Sequence, residues 1–186
     1  MKNRNWKRTT ALVAAVVLAA GALGARAAFV RIRGDLARQR AAIEAGWREV
    51  NAALDERAAL VRSMAEAARG VSPAAAAASS EAAESAAALT RVSSPEARIR
   101  ANRRLSEALA TVLLCAEKDP RLAADRTFAR LADEIKDSEE HIAEARRKYN
   151  ESLEHFNAHI QQFPSNMVAR IAGFHRNDAY FQTEPF

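Results

Sequence analysis

From Phe128 onward the buried-type positions recur three and four residues apart: Phe128, Leu131, Ile135, Ser138, Ile142, Ala145, Tyr149, Ser152, Phe156 and His159/Ile160, with Phe163 extending the row. That spacing holds one face of an α-helix toward a core along its whole length. Counted from Pro120 to Phe163, the helix is about 65 Å long at 1.5 Å per residue. A rod carrying such a stripe must bury it against partners of comparable length. Helix breakers are scarce, with 6 Gly and 5 Pro in 186 residues, so the remaining chain can supply them.

The first partner runs out of the N-terminal region to about Arg69, with Gly70 as its stop. Leu36, Ile43 and Val50 form one seven-residue row on it, and Trp47, Leu54, Val61 and Ala68 a second. Two such rows offset by three or four make a single face. Ser72-Pro73 is a favoured helix start and opens a second stretch. Ten of the fifteen residues from Ala74 to Ala88 are alanine, which reads as a weakly held helix or as a disordered linker. Ser93-Ser94-Pro95-Glu96 opens a third stretch, where Glu96 is placed to close a capping box on Ser93. Its apolar face is Leu105, Leu109, Val112, Leu113 and Ala116. Asp119-Pro120 starts the long helix. The fold class is therefore all-α: an elongated antiparallel bundle of three to four long helices.

The chain before the bundle has a different character. Residues 1–8 are a basic flank, and Thr9 to Ala25 carry no charge, with residues 9–30 forming one apolar segment. This is the short edge of the length needed to span a bilayer, and it fits a retained anchor or a cleaved secretory signal with Ala25-Arg26-Ala27 as the processing pattern. Running without a turn into the amphipathic pattern favours a helix that leaves the bilayer and continues. Basic residues flank the segment on both sides, so the side of the membrane taken by the bundle stays undecided. The formal charge of +5 belongs to this end. Residues 1–33 hold seven basic residues and no acid, leaving 21 basic against 23 acidic in the remainder. A nucleic-acid domain carries its own basic surface, so the partner implied is the lipid bilayer, through residues 9–30, and not nucleic acid.

Reactive chemistry is thinly represented. Glu151, His155 and His159 are spaced i, i+4, i+8 and share a helix face, the best metal candidate in the chain. A solvated helical face explains the same spacing. Glu139, Glu140 and Glu144 lack the Glu-x-x-His pairing of a carboxylate-bridged di-metal bundle. Arg103-Arg104 and Arg146-Arg147-Lys148 read as surface ion-pair partners. Cys115, the only cysteine, reads as a buried inert thiol. There is no phosphate-cradling glycine loop and no nucleophile elbow. No catalytic residue and no cofactor are expected.

Residues 163–166 read Phe-Pro-Ser-Asn, and residues 164–186 form a short C-terminal tail with Met167, Val168, Ile171 and Ala172 on an amphipathic turn. The tail folds back on the bundle or touches a membrane or partner. Together with Asp119-Pro120-x-Leu122, Ala145-Arg146-x-x-Tyr149-Asn150, Phe156-Asn157 and Gly173-Phe174, that spelling resembles the LemA family of bacterial proteins. Trp47, Leu54, Arg57 and Leu60 fall where its first soluble helix is expected, and Tyr180-Phe181 fits its ending. The chain departs from it at Asp35-Leu36-Ala37-Arg38, Arg62-Ser63 and Ser138-Glu139-Glu140. The resemblance implies an N-terminal membrane anchor followed by a helical bundle, with no assigned reaction; the uncharged segment and the absence of a catalytic constellation point to a scaffold with a protein partner in the membrane or envelope. Its motif residues here are Trp47, Tyr149, Asn150, Asn157, Phe163, Pro164, Asn166, Gly173 and Phe174, read as structural. Asn150 and Asn157, seven apart beside the seam, are expected to bond to a neighbouring helix or fix its register. Asn166 suits a turn or cap.

Overall fold

A computed structural model of the chain describes residues 2–181, with residues 2–11 and 74 described in backbone alone. The side chains of the 1–8 flank and the tail beyond Phe181 lie outside the described residues. Helix α1 runs Lys2–Val71, followed by a 3-10 turn Pro73–Ala75, α2 Ala76–Arg91, α3 Pro95–Lys118, a single turn α4 Pro120–Ala123, α5 Arg126–His159 and α6 Ser165–Ala172. Among the described residues there is no strand, and the all-α expectation holds.

The chain divides into two units. One takes Ile43–Leu153 and the chain from Asp178. It is a four-helix bundle whose directions follow from its polar pairs. Arg57 on α1 meets Glu139 on α5 and Glu49 meets Lys148, so these two helices are antiparallel. Arg98 on α3 reaches Asp55 and Asn51, and Asn102 reaches Arg57, so α3 runs with α1. With α2 returning between them, the order is up-down-up-down. The core is Val50, Leu54, Ala58, Val61 and Met64 of α1, Leu105, Leu109 and Val112 of α3, and Phe128 to Leu153 of α5. Helix α2 buries Ala78, Ala82 and Ala86, with Leu89 as its one large buried side chain. The Ala-rich stretch is thus a helix, and its small face lets neighbours approach to about 8 Å between axes.

The other unit takes α1 as far as Ala42 and Glu154–Asn177. Its buried apolar residues are Leu36, Phe156, Val168 and Ala169. Here α1 is exposed from Leu12 to Ala28 and half-buried at Phe29, Ile32 and Gly34 before Leu36 is covered completely.

Several boundaries differ from expectation. The helix expected from 120 to 163 is broken after α4, because the Asp125 carboxylate accepts from the Phe128 N–H at 2.8 Å and restarts it as α5. It then ends at His159, and Phe163 leaves the face at 79% exposure. The seam passes through Leu153, fully buried, instead of half-buried Ser152, since a 3.6-residue period drifts off a strict 3-4 row. Gly70 lies inside α1; the stop comes from Ser72, which the following proline holds extended and whose side chain makes no cap bond. Ser94, not Ser93, caps α3, accepting from the Ala97 N–H at 3.3 Å. Leu113 is exposed and Ala108 takes its place on the α3 face, and Cys115 is half-buried. On α6, Val168 and Ala169 are buried while Met167 and Ile171 face outward.

Candidate functional site

Gly46 of α1 faces Tyr149 of α5 in the bundle unit. A side chain there would stand 3.5 Å from Tyr149 Cα. Trp47, one residue on, lies 5.6 Å from the Tyr149 ring. Phe181 from the C-terminal tail completes a triangle, 5.8 Å from both rings, stacked on Trp47 and edge-on to Tyr149. Such tilted arrangements suit the ring quadrupoles. The Arg146 guanidinium lies 5.1 Å from the Phe181 centroid, a cation–π contact. Arg146 is therefore half-buried and not one of a row of surface ion-pair partners. Burial pushes its pKa down, with the nearby Arg57 charge adding to the effect. Burial likewise pushes the Tyr149 phenol up.

The two asparagines hold the tail, not a neighbouring helix. Asn150 donates to the Phe181 carbonyl at 2.8 Å and accepts from the Phe181 N–H at 3.0 Å. In the other unit, Asn157 donates to the Asn177 carbonyl at 2.6 Å and accepts from the Asn177 N–H at 3.0 Å. Each carboxamide thus satisfies both polar groups of one peptide residue. The expectation of helix-to-helix bonding is corrected by this geometry. Gly173, left-handed at φ 75°, ends α6 and turns the chain so that Phe174 packs 6.3 Å from Phe156. The described tail folds back through Phe181, which is 4% exposed.

A buried polar cluster crosses the bundle. Arg57 donates to Asn102 Oδ1 at 2.8 Å, Ser106 Oγ at 3.0 Å and Glu139 Oε1 at 2.7 Å. Burial lowers the Arg57 pKa and the Glu139 carboxylate opposes it. Arg57 falls at a family spacing and Glu139 at a departure from the family, but nothing in a linear pattern pairs positions 82 residues apart. Gly46 and Phe181 were missed for a related reason. A lone glycine in a helix is ordinarily a weak point, and a terminal aromatic ordinarily a loose one.

The remaining sequence candidates sit on exposed faces. Glu151 pairs with Arg147 at 2.6 Å, His155 is exposed, and His159 Nδ1 lies 3.1 Å from Gln39 Oε1. Among the described residues, no three potential metal ligands come together. Arg147 also bonds Glu144, whose carboxyl it holds below the usual range. Lys148 sits 3.6 Å from Glu49. Phe163 and Pro164 are exposed in the α5–α6 reversal, across a cis peptide, and exposed Asn166 donates its N–H to the Gln162 carbonyl at 2.8 Å. What these residues do in the structure is close it: they set helix separation, clasp the tail and turn the chain. Among known families the chain matches the LemA family over residues 46–185. No curated protein matches it.

Proposed function

The chain belongs to the LemA family, and from that premise we propose that it is a single-pass membrane-anchored helical-bundle protein of the bacterial cell envelope, serving as a scaffold or interaction partner and not as an enzyme. One observation carries this reading: α1 is a single helix, apolar and exposed over Leu12–Ala28, that continues without a break past fully buried Leu36 to Val71. An exposed run of Leu and Val of that length is unfavourable in water and favourable in lipid. The motif residues agree, since Trp47, Tyr149, Asn150, Asn157 and Gly173 are engaged in packing and clasping. The interaction role is tested by placing a photo-crosslinking residue at exposed Leu114 of the full-length protein in its native membrane. Discrete protein adducts are expected; diffuse or absent adducts there, and likewise from exposed positions on α2 and α5, would contradict the role.

A further inference from the structure

Met167 and Ile171 lie one turn apart on α6, and Phe163 precedes Met167 by four residues. Their exposures are 57%, 71% and 79%. The opposite side of α6, Ser165, Val168 and Ala169, is buried against its own unit. Helix α6 is therefore apolar on both sides, with only one side covered by protein. We propose that the outer side rests on the lipid bilayer, the reversal and α6 forming a second, interfacial membrane contact beside the helix that spans it. This rests on the reading of α1 as an anchor.

Two observations within that unit select lipid as the occupant. The first is position. Protein cover on α1 begins at Phe29, directly after the exposed apolar run ends at Ala28. The end of α5 is beside Gln39, ten residues further along α1, or about 15 Å at 1.5 Å per residue. The chain after His159 belongs to the same compact unit as α1 up to Ala42. The end of α5 and the reversal after it therefore share a unit with the stretch of α1 that adjoins the apolar run, the stretch that meets a bilayer's headgroups if α1 spans it. The second is charge. From Arg26 onward, on the α6 side of the uncharged run, this unit holds seven basic residues against two acids, Asp35 and Glu154, a formal +5. No acid occurs between Glu154 and Asp178, and exposed Arg170 sits between Met167 and Ile171. Exposed apolar side chains with an arginine among them suit the boundary of an anionic membrane, where area and charge add.

Nitroxide depth measurements on the full-length chain test this. With Cys115→Ala removing the native thiol, single labels are placed at M167C and I171C, with L18C in the span and T111C on exposed α3 as references. The protein is reconstituted in phosphatidylethanolamine/phosphatidylglycerol vesicles. Labels at 167 and 171 are expected to favour oxygen over an aqueous nickel complex, between the values at 18 and 111. Lipid-like values at 18 with water-like values at 167 and 171 would overturn this contact and leave the anchor standing. Water-like values at 18 as well would overturn both. Spin–spin broadening at 167 that disappears on dilution with unlabelled chain would assign the face to a second copy and overturn lipid as its occupant. Both labelled positions are exposed, so their substitution leaves the core intact.

Discussion

A carboxamide carries an acceptor and a donor on one edge, the same pair a peptide residue presents. Asn150 uses that match to hold Phe181, and Phe181 in turn closes the triangle with Trp47 and Tyr149. Replacing Asn150 by Ala removes both bonds and loosens the ring behind them, an expected loss of about 1–3 kcal/mol read from the urea midpoint. Asn150→Asp keeps the acceptor and loses the donor, so it should recover part of that loss. Gly46 makes the opposite case. A methyl group there meets Tyr149 at 3.5–3.7 Å, ordinary contact, and gains helix propensity. Gly46→Ala should be neutral or stabilising by up to about 1 kcal/mol, whereas Gly46→Leu should separate the helices and destabilise. The sequence marked Trp47, Tyr149, Asn150 and Asn157 as fitted residues. It could not say to what, because their partners are a glycine without a side chain and backbone groups 20 and 31 residues away.

Helix α2 shows what holds an element made mostly of alanine. Each buried alanine contributes little apolar area, so Leu89 dominates its attachment. Leu89→Ala should cost about 2–5 kcal/mol and raise amide exchange along Ala76–Arg91 ahead of the rest of the bundle. Helix starts depend on single carboxylates. The Ser72 hydroxyl, followed by Arg121, holds the Asp119 carboxyl down at about 2, below its ordinary 3.8. A depressed folded pKa means that the stabilisation is complete above the ordinary value and lost as pH falls through about 2. Wild type and Asp119→Asn should therefore differ in melting temperature at neutral pH and converge near pH 2. Helix starts after Pro-bearing caps were legible in the sequence. The break at Asp125 was not, because Asp-Arg-Thr-Phe continues the apolar spacing without a proline. The switch from Ser152 to Leu153 was hidden likewise, since one-residue drift alters no composition.

At the scale of the molecule, the bundle and the apolar helix were both legible, the first from spacing and the second from an uncharged run. The outward face of α6 was not, because Met167, Val168, Ile171 and Ala172 read as one stripe, whereas the fold covers Val168 and leaves Met167 and Ile171 exposed. The account turns on α1 being one retained helix from the apolar run into the core. Alkaline carbonate extraction of cell membranes, with mass determination of the recovered chain, addresses that directly. The expected result is a protein that stays with the membrane pellet and still contains residues 9–30. A chain released into the carbonate supernatant, with a mature N-terminus at or just after Ala27, would contradict it.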